Sequence, residues 1–160
     1  MKKTKVLMVC LGNICRSPTA HGVFQHLVDQ QGLNEVIEVE SAGTSGWHIG
    51  MAPDKRSQAA ALKRGYDLSM QQGRKAIEED FDEYDYILAM DKENLKNLKA
   101  IAPANYQGHL GLFLGFADNP DYDEVPDPYH GGEAGFELVL DLVEDAAQKL
   151  LNHIVKQKGL

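Results

Sequence analysis

Cysteine is scarce in this chain: of 160 residues only Cys10 and Cys15 carry a thiol. Two thiols five positions apart cannot build a disulfide scaffold, and without further cysteines they cannot hold a zinc ribbon or an iron–sulfur cluster. Long apolar runs are missing as well. No stretch approaches the roughly 20 residues that cross a bilayer, and the polar start Met1-Lys2-Lys3-Thr4-Lys5 leads into a short strand-like segment rather than a signal-peptide core. Basic charge is in deficit: 16 Lys and Arg stand against 24 Asp and Glu, a net charge of -8, which argues against general binding to nucleic acid or anionic membranes. The deficit is uneven. Residues 1–75 hold ten basic and six acidic side chains, a net of +4, and residues 76–160 hold six and eighteen, a net of -12. An anionic substrate therefore needs strong local donors. The expected setting is cytoplasmic, and two thiols this close point to nucleophilic or redox chemistry.

What remains is an ordinary globular composition, 43% hydrophobic and 25% charged, in a chain long enough to bury roughly 70% of its unfolded surface. One domain over residues 1–160 is expected. Lys5–Cys10 is a short apolar run suited to a strand buried on both faces. It ends in the turn Leu11-Gly12-Asn13-Ile14-Cys15-Arg16-Ser17, after which Ser17 is the expected helix cap and Pro18 the first helical position. Ala20, Val23, Phe24, Leu27 and Val28 then recur at helical spacing up to Gly32. The alternation continues with a strand over 36–41, a helix over 54–64, a strand over 85–90 and a helix over 94–100 capped by Asp91. A fourth strand over 108–112 and a long helix from about Glu133 complete the chain. Strands alternating with helices predict an α/β fold, a parallel sheet flanked by helices on both faces, with ligand loops at the carboxyl ends of the strands.

The chemistry lies in Cys10-Leu11-Gly12-Asn13-Ile14-Cys15-Arg16-Ser17-Pro18, a Cys-x5-Arg-Ser pattern between a strand end and a helix start. Such a loop turns successive N–H groups inward as a nest, and the helix adds its positive end, so a tetrahedral oxyanion fits there. Gly12 allows tight curvature, and Asn13 tolerates a left-handed conformation. At the mouth of the cradle the helix end, the loop amides and Arg16 all favour a negative sulfur on Cys10. Arg16 can fork onto two phosphate oxygens, which the point charge of lysine does less well. Ser17 can donate its hydroxyl to the sulfur. An isolated strand-end cysteine is usually inert packing, but here strand, glycine, serine and proline requirements are met together. The parts specify a cysteine-dependent phosphatase.

The segment 9–20 resembles the phosphate loop of the low-molecular-weight protein tyrosine phosphatase family, and lies almost at the N-terminus, as in that family. The resemblance continues through Ser41-Ala42-Gly43-Thr44, the Trp47 loop, residues 84–91 and Asp127-Pro128-Tyr129. It implies a single phosphatase domain with a four-stranded parallel sheet in a Rossmann-like three-layer sandwich. It also implies hydrolysis through a phosphocysteine intermediate without metal or cofactor. Asp127, stiffened between Pro126 and Pro128, is by resemblance the general acid and later the base. Asn13 and Ser41 resemble positions that brace the phosphate loop, and Asp91 one that holds the arginine, although Asp91 also suits plain helix capping. Trp47 and Tyr129 resemble the two walls of the substrate cleft, with His130 at its rim.

Two positions depart from the family pattern. Leu68-Ser69-Met70-Gln71-Gln72 lacks the histidine that many relatives place there to brace the loop asparagine, and Tyr129-His130 replaces a pair of tyrosines. Cys15 is expected to trap oxidised Cys10 as a reversible disulfide. The expected partners are phosphotyrosine in a protein or peptide, and inorganic phosphate as product and competing ligand. Nucleic acid and membrane insertion are not expected, and the chain is expected to be a monomer or weak dimer. Arsenate reductases and phosphoarginine phosphatases share the scaffold. The former relay a disulfide through downstream cysteines that this chain lacks, and the latter tend to carry threonine where this chain has Ile14.

Overall fold

A computed structural model describes residues 3–117, 119–129 and 132–160. Strand β1 (Thr4–Cys10) lies inside a four-stranded sheet of order β2-β1-β3-β4, with β2 at Ile37–Gly43, β3 at Tyr86–Ala89 and β4 at His109–Leu112. Every pairing is parallel: Val6 sits opposite Val39 on one side and Tyr86 on the other. Burial on both faces explains the nearly unbroken apolar run of β1. Val6, Met8 and Cys10 point into one core, and Leu7 and Val9 into another, following the period-two alternation of a strand.

The first core is closed by α1 (Arg16–Gln30), α2 (Lys55–Lys63) and α5 (Glu133–Lys158), which contribute Val23, Phe24, Ala61, Leu140, Val143 and Leu150. The second is closed by α3 (Asp80–Glu83) and α4 (Lys92–Ile101) through Phe81 and Leu98. The expected three-layer α/β architecture is therefore the observed one. Among the described residues no helix is long and apolar enough to cross a membrane.

Two expectations change. Helix α1 begins at Arg16, and Cys15, not Ser17, occupies its capping position without a side-chain cap bond. Ser17 is taken from capping by the neighbouring sulfur, described below. Pro18 still falls in the first turn, where a missing N–H costs no helical bond. The short α3 and a 3-10 turn at Phe113–Phe116 were not legible, being too short for periodicity to register.

The order β2-β1-β3 places a topological switch at β1: the chain leaves it for β2 on one side and later returns to β3 on the other. The crevice beyond the carboxyl ends of β1 and β3 is where such sheets bind ligands. The Cys10 loop and the segment after Met90 meet there.

Candidate active site

Loop 11–15 curves tightly, with Asn13 in the left-handed region at φ 58°. The outer carbonyls of the curve are tied down. Cys10 O accepts from Thr44 N at 2.9 Å, Leu11 O from Ser45 N at 2.9 Å, and Ile14 O from Asp54 N at 2.7 Å. With its carbonyls bonded outward, the loop leaves the N–H groups of Gly12, Ile14 and Cys15 without a bond inside the described chain, at residues that line one cleft. This is the nest geometry that receives an oxyanion. Gly43 lies directly beneath it. A methyl there would meet Leu11 O at 2.8 Å and Asn13 N at 3.1 Å, so only glycine lets β2 approach the loop this closely.

The Cys10 sulfur, almost fully buried, receives Asn13 N–H at 3.3 Å and lies 3.0 Å from the Ser17 hydroxyl. That hydroxyl accepts from Asn13 Nδ2 at 2.9 Å and has a second acceptor in Ala42 O at 3.3 Å. It has one proton for two acceptors. A thiolate at Cys10 would win that proton, because charge-assisted bonds are roughly twice as strong as neutral ones. Asn13 Oδ1 in turn accepts from Arg74 N at 3.0 Å.

Arg16 is 4% exposed. A single nitrogen, Nη1, donates both to Asp91 Oδ2 at 2.6 Å and to Val125 O at 3.0 Å. The Nε and Nη2 edge has no partner among the described residues, so anchoring uses one corner of the guanidinium and leaves a two-pronged fork. Burial opposes the charge of Arg16, but the Cys10 sulfur and then Asp91 outweigh it and raise its pKa. Asp91 does both jobs considered for it: its Oδ1 accepts from Asn94 N at 2.7 Å in a capping box at the head of α4, while Oδ2 holds Arg16.

The acid-bearing segment is fastened to the same elements. Val125 N donates to Met90 O at 2.8 Å, and Glu124 accepts from Lys92 N at 2.7 Å at the positive end of α4. Asp123 pairs with the Lys92 ammonium at 3.0 Å. Two residues past the Val125 anchor, Asp127 is exposed to the cleft. Its Oδ1 accepts from Tyr129 N at 3.0 Å, and among the described residues no donor meets Oδ2.

Cys10, Arg16, Trp47, His48, Asp127 and Tyr129 surround a cavity of about 270 Å³, whose rim is completed by Leu11, Gly12, Ile14 and Cys15. Trp47, 75% exposed, and Tyr129 present aromatic faces to it. The Tyr129 ring lies 5.2 Å from the Arg56 guanidinium, which also covers Phe136 at 4.9 Å and is gripped in a fork by Asp54. His130 lies outside the described residues. Cys15 is buried, and burial pushes its thiol up to about 12 despite a bond to Ser57.

Ser41 does not reach the phosphate loop. Its hydroxyl donates to Gln71 Oε1 at 3.2 Å and lies 3.3 Å from His21 Nδ1, and Gln71 Nε2 donates to Pro18 O at 2.9 Å. Gln71 thus ties this cluster to the head of α1. Burial holds His21 down at about 4, so the ring is neutral.

Sequence reasoning missed Arg74, held by Asp80 in a two-pronged pair at 3.0 Å, and His48, whose ring lies so close to Gly12 that a methyl there would meet its Cδ2 at 2.9 Å. Neither carries a local signal beyond its residue type.

Comparison with known proteins adds an independent line. Residues 5–160 match the family described as low molecular weight phosphotyrosine protein phosphatase. A Synechocystis relative named for the low molecular weight protein-tyrosine-phosphatases is 46% identical over 96% of this chain and 98% of its own length. The crystal structure of YfkJ from Bacillus subtilis superposes with a TM-score of 0.93 at 39% identity, covering 99% of this chain and 98% of that one. A Drosophila arginine phosphatase does so with a TM-score of 0.89 at 31% identity, covering 94% and 98%.

Proposed function

Because the chain belongs to the low molecular weight phosphotyrosine protein phosphatase family, we propose that it hydrolyses phosphotyrosine in proteins and peptides, and small aryl phosphates, with Cys10 as nucleophile. The observation that carries this reading is the convergence on one cleft of a hydrogen-bonded sulfur with a guanidinium fork and a carboxylate oxygen that have no partner among the described residues. The phosphoryl oxygens take the loop N–H groups and the Arg16 fork, which puts phosphorus in line with Cys10 Sγ. The S–P bond forms as the P–O(aryl) bond breaks, and Asp127 gives its proton to the departing phenolate. Water then attacks the phosphocysteine, Asp127 takes the proton, inorganic phosphate leaves, and Ser17 stabilises the returning thiolate. Inorganic phosphate, fitting the same nest, inhibits competitively. The setting we assign is the cytoplasm, consistent with two free thiols and the acidic charge balance.

Phosphoarginine is the nearest competing substrate. The cleft wall favours an aryl group, to which Ile14, Trp47 and Tyr129 offer apolar and aromatic surface. Arsenate reduction through a downstream cysteine relay is disfavoured, because this sequence has no cysteine after Cys15.

The experiment is hydrolysis of a series of aryl phosphates by the wild type and by Asp127→Asn. Removing the acid should slow phenyl phosphate about 10²–10⁴-fold and p-nitrophenyl phosphate far less, since nitrophenolate leaves without a proton. Equal losses on both would remove Asp127 from the acid role. No turnover of any aryl phosphate by the wild type would end the reading.

The paired thiols give a second expectation. Hydrogen peroxide converts the Cys10 thiolate to a sulfenic acid. The Cys15 thiol condenses with it, forming the S–S bond and releasing water, and a dithiol reductant restores both thiols. Since the Cys15 thiol titrates at about 12, its thiolate fraction rises about tenfold per pH unit near neutrality. Recoverable activity after a peroxide pulse should therefore grow from pH 7 to pH 8 in the wild type, and be low at both in Cys15→Ser. Equal recovery by the two proteins would dismiss the trap.

A further inference from the structure

Beside the cleft, on the other side of a shared wall, lies a second, larger depression. Its volume is about 960 Å³ against about 270 Å³ for the cleft, and the two share Leu11 and Trp47 as a common wall. The reaction derived above uses only the smaller space. The larger one is floored by Ala76 and Leu98, both buried, and rimmed by Ile77 and Ile101, which are 46% and 39% exposed. Its charged lining is Lys75, Glu78 and Glu79, a net of one negative charge, so an anionic side chain gains nothing there.

Exposed apolar side chains scattered singly need no explanation, whereas a contiguous group beside a catalytic site marks a binding surface. Trp47, Ile77 and Ile101 form such a group, reached from α4, from the segment before α3 and from the loop after β2. Continuity with the cleft identifies the occupant. A molecule whose phosphoryl group lies on the Cys10 loop and whose ring stands between Trp47 and Tyr129 continues, if it is a polypeptide, past the Trp47 edge into this depression. An extended chain advances roughly 3.3–3.6 Å per residue, and alternate side chains share a face. The side chain two residues from the phosphotyrosine therefore points the same way as the phosphotyrosine itself.

We propose that the groove lined by Ile77, Leu98 and Ile101 is a subsite for an apolar side chain of the substrate polypeptide, two residues from the phosphotyrosine on one side. The proposal rests on the phosphotyrosine phosphatase reading and adds a sequence preference to it. Burying a leucine-sized side chain favours binding, and only part of that gain survives the cost of ordering the peptide. A preference of about tenfold in kcat/KM is expected.

The test measures kcat/KM on phosphotyrosine peptides carrying Leu, Asp or Lys at each of the two positions, with p-nitrophenyl phosphate as the small-substrate reference. The expected result is a Leu preference of about tenfold at one of the positions, reduced to twofold or less in Ile77→Ser and in Ile101→Ser. Activity of both variants on p-nitrophenyl phosphate should stay at the wild-type level, because neither residue touches the cleft. A wild-type protein indifferent to these positions, or one that prefers a charged residue, overturns the subsite whatever the variants do. So does a Leu preference that persists in both variants. Failure on p-nitrophenyl phosphate by the wild type strikes the phosphatase reading itself, and the subsite with it.

Discussion

Replacing Cys10 with serine is expected to abolish turnover, by on the order of 10⁵-fold or more, while leaving the fold and phosphate binding in place. The alcohol is isosteric with the thiol, but a serine hydroxyl has no adjacent base here to make it a nucleophile. The groups that favour sulfur charge, Asn13 N–H at 3.3 Å and Ser17 at 3.0 Å, are hydrogen-bond donors and not proton acceptors. The oxyanion ligands do not depend on the sulfur. Cys10→Ser should therefore retain a phosphotyrosine peptide with affinity within a few-fold of the wild-type KM, and its thermal midpoint should move little. Kinetics together with equilibrium binding check this. Loss of peptide binding in step with turnover would mean that the substitution had collapsed the loop, and residual turnover near wild type would place the nucleophile elsewhere.

Arg16→Lys is the second large effect, about 10³-fold in kcat/KM or more, in line with what a charge-stabilising arginine supplies in phosphoryl transfer. Charge is conserved in this change, so a purely coulombic role would predict a mild loss. The geometry predicts otherwise. One guanidinium nitrogen is already spent on Asp91 and the Val125 carbonyl, and the catalytic contribution comes from the opposite edge, 4% exposed and rigidly aimed. A lysine ammonium has one nitrogen and must choose between satisfying Asp91 and meeting the phosphate. If it stays with Asp91, phosphate affinity and rate fall together. If it turns to the phosphate, Asp91, 22% exposed, is left without its cation and stability falls modestly, because solvent screens the unpaired carboxylate. Measuring kcat/KM alongside the denaturation midpoint separates these branches, and wild-type values for both would contradict the fork.

Much of this was legible in the sequence, for a physical reason. The phosphate loop, its flanking strand and helix and the cap of α4 depend on interactions within a few residues, and local interactions leave local signatures. Asp91 shows the limit of that reading. Its capping box with Asn94 is a three-residue matter and visible in the sequence, whereas its grip on Arg16 spans 75 positions and entered only through resemblance. Arg74 bracing Asn13 across 61 residues, and Gln71 with His21 around Ser41, had no such help. Serine at position 17 misled in the opposite direction. Its residue type and place suit a helix cap, but a sulfur 3.0 Å away competes for the same hydroxyl. Propensity describes a residue alone, and the tertiary partner decides.

The contact between Arg16 Nη1 and the Val125 carbonyl has a kinetic meaning. Many enzymes carry their acid on a mobile lid that must swing shut before each turnover and open after it. Here the segment carrying Asp127 is tied at Val125 both to Met90, just past β3, and to Arg16, with Glu124 bonded at the head of α4. In the reaction proposed above, proton donor and anion receptor are therefore joined in one frame, and the expected pace is that of bond making and breaking at phosphorus.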